Sequence, residues 1–293
     1  MSKNLKISVL TSFVGLWLTS YLSVEYQTVL GFFLILSFGV LHGANDLVLI
    51  DHLKTSKNLS FFKLTGIYVL IVGISVLLFT NFPILALLLF ILVSSYHFGE
   101  QHWNEIFTTN KSLLTLFFQF NYGFLVLVLL FYFNSKEVIQ IIFEISHYNI
   151  LEIYIESLVL ITLLVFALFS LRLYSISIEF KNNIVEQLFY LVVLAIVFKA
   201  SSLIWGFTIY FIFWHSIPSL NDQLTFLYGS ATGSNFKKYF KTAFIYWFVS
   251  LLGIFGLYYI SKDMLVFDAL FFAFLASITF PHFIVILNMY KRK

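Results

Sequence analysis

The feature that most constrains the fold is a series of continuous apolar runs, each about as long as a bilayer is thick. Hydropathy places ten of them at residues 6–22, 26–50, 62–80, 82–98, 112–133, 151–171, 184–198, 202–220, 240–260 and 264–290. A helix needs roughly 20 mostly apolar residues to cross a hydrocarbon core, and a continuous run is typical of helices rather than of barrel strands. The runs predict an all-α, polytopic integral membrane helix bundle with ten transmembrane helices.

Composition excludes a soluble fold. Of the 293 residues, 60% are hydrophobic and only 11% are charged, which is too little charge to cover the surface of a soluble domain. The net charge of +3 is small and dispersed, so no nucleic acid partner is expected. The chain has no cysteine, which excludes thiolate-bound zinc and iron–sulfur clusters. With no internal repeat, residues 1–293 are predicted to form a single transmembrane domain.

The basic residues predict the orientation. With the N-terminus inside, fourteen of the 17 lysines and arginines lie in inner loops and tails, and only Lys136, Lys199 and Lys262 lie outside. Positive residues favour the cytoplasmic side, so both termini are predicted to be cytoplasmic, in a cell inner (plasma) membrane. Residues 135–156 are predicted to form an amphipathic helix at the outer interface.

Four of the seven histidines lie inside apolar runs, one in each of the second, fourth, eighth and tenth. They are His42, His97, His215 and His282. With an inside N-terminus these four helices run in the same direction, and each histidine lies in the C-terminal part of its helix. A titratable side chain at membrane depth is costly and usually marks a function. We therefore expect the four imidazoles to meet at one depth and bind a metal ion in the bundle core.

The residue types at and around the histidines indicate which metal ions the site could bind. Neutral imidazoles suit iron, zinc or copper, and a site without thiolates leaves iron open positions for oxygen. Asp46 follows His42 by four residues, on the same helical face, and is predicted to accept a hydrogen bond from its imidazole. Glu100, just after His97, is expected near the interface and behind the ligands rather than among them.

Four short motifs, in this order, resemble those of the Brp/Blh family, the bacteriorhodopsin-related and Blh-type membrane β-carotene 15,15'-dioxygenases. They are His42-Gly43-Ala44-Asn45-Asp46, Tyr96-His97-Phe98-Gly99-Glu100, Trp214-His215-Ser216 and Pro281-His282. The resemblance implies an Fe(2+) enzyme that uses O2 to cleave the central double bond of β-carotene into two all-trans-retinal molecules. It also implies a microbial membrane, and a rhodopsin that takes up the retinal.

The resemblance further implies that His42, His97 and His215 bind iron. The family commonly has another histidine four residues after the Trp-His-Ser histidine, where this chain has Ser219. We predict that His282 completes the site. A site of three histidines with water or a carboxylate stays open, and so does altered activity.

Other functions are also compatible with intramembrane histidines. A transporter or proton relay would use His42 and Asp46 for ion transfer, although no symmetric broken-helix pattern indicates one. A di-iron desaturase or hydroxylase would need more clustered histidines, and a b-type cytochrome would need histidine pairs on two helices. A carotenoid cyclase would share the apolar substrate.

Overall fold

The computed structural model describes residues 3–53, 61–107, 112–261 and 264–292. Within these ranges the structure is helical, without strands. The α-helices are α1 (Lys3–Thr19), α2 (Val24–Leu34), α3 (Val40–Gly43), α4 (Asp46–Leu53), α5 (Phe61–Asn81), α6 (Pro83–Trp103), α7 (Leu113–Phe133), α8 (Ser135–Ser146), α9 (Glu152–Ile176), α10 (Ile178–Ala200), α11 (Leu203–Ile209), α12 (Ile217–Tyr228), α13 (Gly233–Ser261) and α14 (Met264–Tyr290). Two π-helical segments, Ile35–Gly39 and Tyr210–Ser216, interrupt the α-helical hydrogen bonding.

The described residues contain nine helices that are long and apolar enough to cross a membrane. They are Val24–Leu53, Phe62–Asn81, Pro83–Trp103, Leu113–Phe133, Glu152–Ile176, Ile178–Ala200, Leu203–Tyr228, Gly233–Gly256 and Leu270–Tyr290. The apolar helix Lys6–Thr19 is shorter and corresponds to the first predicted run. The all-α, polytopic membrane bundle is confirmed, and the predicted count of ten becomes nine long helices and one short one.

The predicted orientation stays a prediction. Of the lysines on which it depends, five lie outside the described residues, namely Lys54, Lys57, Lys111, Lys262 and Lys293.

The predicted interfacial helix at residues 135–156 is shorter than expected. Helix α8 is amphipathic but ends at Ser146, and the next residue, His147, has a φ of 56°. This left-handed backbone conformation cannot continue a right-handed helix. Glu152 instead begins α9, where its carboxylate accepts a hydrogen bond from the Ser135 hydroxyl.

Contacts divide the chain into two compact units built from interleaved segments. The first unit contains Met1–Ile35, Ser94–Gln140 and Asn149–His215, and the second contains Leu36–Val93, Ile141–Tyr148 and Ser216–Lys293. The single transmembrane domain predicted over residues 1–293 stays a prediction.

A glycine crossing positions the part of α6 that belongs to the first unit. A Cβ atom on Gly99 would lie 1.7 Å from the backbone oxygen of Gln119 in α7, and one on Gly123 would lie 1.9 Å from that of Ser95. Only glycine allows two backbones to approach this closely. Helices α9 and α10 pack around α7. The crossing of α6 and α7 therefore joins the segment that carries His97 to the core of the first unit.

In the second unit α14 packs along α5 and also contacts α3, α4 and α13. One buried cluster joins Leu41, Leu224, Tyr239 and Ala243. Another joins Leu49 and Leu53 of α4 to Val285, Ile286, Met289 and Tyr290 of α14. These apolar contacts surround the short helices α3 and α4, which carry the first sequence motif.

Candidate functional site

In the first unit His97 and His215 form a buried pair. His97 lies on α6 and His215 in the π-helical segment Tyr210–Ser216. Their ring centroids are 4.7 Å apart with an interplanar angle of 78°, and each residue is only 1% exposed. Phe98 and Phe211 pack on the His215 ring at centroid distances of 4.7 and 5.5 Å. This pair therefore lies in an aromatic, dry environment.

Gln101 holds His215 by both its ring and its main chain. The Gln101 amide nitrogen donates to the His215 carbonyl at 2.8 Å, and its amide oxygen accepts a hydrogen bond from Nδ1 of the ring. Because an amide oxygen only accepts, Nδ1 carries the proton and the lone pair of the neutral imidazole lies on Nε2. Gln101 lies one turn after His97 and was not among the predicted site residues. Gln101 follows the predicted apolar run 82–98 and stands between two other polar residues, Glu100 and His102, so the sequence does not distinguish it.

Helix α1 supports the π-helical segment that carries His215. The Ser8 hydroxyl donates to the Phe213 carbonyl at 2.6 Å, and the Trp214 indole donates to the Ser12 hydroxyl at 2.9 Å. A π-helical turn shifts the hydrogen-bonding register, and such turns are frequent at functional sites. The serines of α1 therefore fix the turn on which His215 lies.

In the second unit His42 and His282 form another buried pair. Their ring centroids are 4.8 Å apart at an interplanar angle of 87°, and they are 5% and 6% exposed. His42 lies in α3, which directly follows the π-helical segment Ile35–Gly39, and its Nδ1 donates to the Gly39 carbonyl. The lone pair of the neutral His42 ring therefore also lies on Nε2.

Asp46 serves a different histidine from the one predicted. Its Oδ1 accepts from Nδ1 of His282 at 2.8 Å, and its Oδ2 accepts from the Tyr68 hydroxyl at 2.9 Å. The prediction assumed one continuous helix, whereas α3 ends at Gly43 and α4 begins at Asp46. The intervening turn rotates the carboxylate away from the face expected from a spacing of four residues.

A polar network holds the main chain of His42. The Gln223 amide nitrogen donates to the His42 carbonyl at 2.9 Å, and the Tyr239 hydroxyl contacts the same carbonyl at 2.9 Å. Gln223 also donates to the hydroxyl of Ser219, which is completely buried, at 3.3 Å. Ser219, at the position where the resembled family has a histidine, therefore takes part in the support of His42.

Glu100, which was expected near an interface, is found in the interior. Glu100 is 7% exposed, and its carboxylate accepts from the Tyr96 hydroxyl at 3.4 Å. His102 lies 2.6 Å from the Gln187 amide oxygen and stacks on Tyr122 at a centroid distance of 4.6 Å. The predicted role of Glu100 behind the ligands stays a prediction.

The donor set fits a metal ion. Three of the four histidines direct Nδ1 to an oxygen acceptor of this chain, namely the Gly39 carbonyl, the Gln101 amide and the Asp46 carboxylate. Metal-binding histidines almost always have such a partner on the other ring nitrogen, which fixes the tautomer and the ring plane. Buried imidazoles with lone pairs on Nε2 are suitable ligands for a transition metal.

Comparison with known proteins adds one finding. A family model described as Beta-carotene 15,15'-dioxygenase matches residues 33–290, which include all four histidine motifs. No curated protein and no solved structure matches the chain.

Proposed function

The chain belongs to the β-carotene 15,15'-dioxygenase family, and we propose that it performs this cleavage with O2 at an Fe(2+) ion bound by His42, His97, His215 and His282. Family membership makes the chain a carotenoid-cleaving oxidoreductase with β-carotene as substrate. In the proposed reaction the central double bond breaks, and each of its two carbons becomes the aldehyde carbon of one all-trans-retinal.

The chemistry of the donor set supports iron. Neutral nitrogen ligands without thiolate bind Fe(2+) without filling every coordination position, which leaves room for O2. When bound, the ion supplies the oxygen chemistry, while the protein supplies binding, orientation and a dry site. The observation that carries the proposal is that three buried imidazoles each direct Nδ1 to an oxygen acceptor of this chain.

Three of the four histidines have a support of their own. Gln101 fixes the ring and carbonyl of His215, and Asp46 fixes the ring of His282. Gln223 and Tyr239 fix the main chain of His42. Their effect is preorganisation, because ligands that are already oriented lose little freedom when the metal binds.

The apolar setting suits an apolar substrate. The nine long apolar helices make the chain a multi-pass membrane protein. β-Carotene partitions into the bilayer, so we propose that it enters laterally from the lipid. Phe98 and Phe211, packed on His215, exclude water from this histidine. Binding the two halves of the polyene on either side of the metal selects the central bond for cleavage.

The membrane, the orientation of the chain and the protein that receives the product are also part of the proposal. We place the protein in the cell inner (plasma) membrane with both termini in the cytoplasm, from the distribution of lysine and arginine. Retinal remains in the bilayer after release, where a microbial rhodopsin would take it up.

Expression in bacteria that accumulate β-carotene tests the proposal. The wild type is expected to bleach the cells and produce retinal, and both effects should disappear when iron or O2 is withheld. His42→Ala, His97→Ala, His215→Ala and His282→Ala are each expected to lose bound iron and retinal output. His52→Ala is the matched control, because His52 is an exposed histidine on α4.

Iron content of the purified proteins separates the possible ligand sets. Wild type and His52→Ala should contain one iron per chain. Full iron and full retinal output in His282→Ala would remove this residue from the ligand set, and the same result in His42→Ala would contradict the site as a whole.

A further inference from the structure

We propose that Tyr68 is a positioning residue of the metal site, acting on His282 through Asp46. The inference rests on the proposed function, in which His282 binds the metal. The geometry that carries it is a chain of two hydrogen bonds, from the Tyr68 hydroxyl to Oδ2 of Asp46 at 2.9 Å and from Nδ1 of His282 to Oδ1 at 2.8 Å.

The two donors come from helices that are far apart in the sequence. Tyr68 lies on α5, His282 on α14 and Asp46 at the start of α4, so one carboxylate joins three helices. Asp46 is only 1% exposed. A carboxylate buried this deeply needs hydrogen-bond donors, because water cannot replace them.

Occupation of both oxygens fixes the plane of the carboxylate. With a single donor the Asp46 carboxylate would retain rotation about its terminal torsion, which is broad for this side chain. The Tyr68 hydroxyl removes that rotation, and the fixed Oδ1 then determines the plane and tautomer of His282. The direction of the Nε2 lone pair of His282 is therefore set in part by a residue on α5.

The setting of Tyr68 agrees with a specific role for its hydroxyl. Its neighbours Ile67 and Val69, on either side of it around the helix, are 50% and 62% exposed, as expected for a helix that contacts lipid. A phenol within such a helix carries a desolvation cost that only a hydrogen bond offsets. Phenylalanine would provide the same packing without the hydroxyl.

The test compares Tyr68→Phe with a closely matched control. The Tyr290 hydroxyl donates to Oδ2 of Asp222, also at 2.9 Å and in the same unit, and Asp222 is not the acceptor of His282. Tyr290→Phe therefore removes a hydrogen bond of the same kind and length. Metal-free protein of each variant is titrated with Co²⁺ and Fe²⁺, and the visible spectrum of bound Co²⁺ reports the ligand geometry.

Loss of a group that orients a metal ligand typically weakens metal affinity 10–100-fold. We expect a loss of this size in Tyr68→Phe, with a changed Co²⁺ spectrum. The metal-free protein should still fold but melt at a lower temperature, because Oδ2 of Asp46 loses a buried hydrogen bond. Tyr290→Phe should bind both metals as the wild type does. A Tyr68→Phe protein that binds metal normally, or that yields no folded metal-free protein, would overturn the inference.

Two further variants separate this inference from the proposed function. In an Asp46→Ala background, Tyr68→Phe should cause no additional loss of affinity, because its effect passes through the missing carboxylate. An equal loss in both backgrounds would overturn the route through Asp46. If His282→Ala loses metal while Tyr68→Phe does not, only the role of Tyr68 fails. If His282→Ala binds metal as the wild type does, the proposed ligand set fails and the inference fails with it.

Discussion

The crossing of α6 and α7 gives the sharpest prediction about stability. A Cβ atom added at Gly99 would lie 1.7 Å from the Gln119 carbonyl oxygen and 2.6 Å from its carbon. Contacts below 3.0 Å are essentially never seen, so the two backbones would have to separate by about 1.3 Å. The contacting atoms belong to the main chain of a helix, and no rotamer change can relieve the overlap.

The magnitude follows from two opposing terms. Alanine is favoured over glycine in a helix by about 1 kcal/mol, whereas overpacking typically costs 1–3 kcal/mol and occasionally more. Because the overlap is with backbone, we expect overpacking to cost about 4 kcal/mol, above that range, and hence a net loss of about 3 kcal/mol in the free energy of unfolding for Gly99→Ala. For a chain of this size that lowers the melting temperature by roughly 6–12 °C.

The assay is thermal unfolding in detergent, followed by tryptophan fluorescence, with retinal output measured in parallel. Gly253→Ala on α13 is the control, since nothing lies within 4 Å of its added Cβ. The control should melt at or above the wild-type temperature. Gly99→Ala should also lose retinal output, because Gly99 lies two residues after His97. Equal melting temperatures for the two variants would refute the close approach of α6 and α7.

Two further predictions concern polar side chains. Gln101→Leu removes both hydrogen bonds to His215, and we expect 10–100-fold weaker metal affinity, measured by Co²⁺ titration; unchanged affinity would contradict the support assigned to Gln101. Desolvation raises the pKa of the Glu137 carboxyl, opposed by a hydrogen bond from the Leu203 amide, so the folded state holds this proton more tightly than the unfolded state does. The contribution of Glu137 to stability should therefore fall as pH rises through the window above 4.5. Glu137→Gln should lose that part of the pH dependence of the melting temperature, and identical profiles for the two proteins would show that the carboxyl is not perturbed.

The membrane fold could be predicted from the sequence because its determinants are local. A transmembrane helix satisfies its backbone hydrogen bonds within itself, so each apolar run specifies one element without reference to the others. The ten predicted runs correspond to the nine long helices and to Lys6–Thr19. Where prediction failed, at residues 135–156, the cause was a single backbone conformation at His147 that hydropathy does not encode.

For the candidate site, too, some features could be predicted from the sequence and others depend on the tertiary structure. The sequence by itself determined the histidines and the order of the motifs, since an imidazole in an apolar run is visible without a structure. Tertiary structure decided the partners: Asp46 binds His282, 236 residues away, and Gln101 binds His215, 114 residues away. A break between two short helices and two π-helical turns change which face a side chain occupies, and spacing counted on a regular helix cannot anticipate that change.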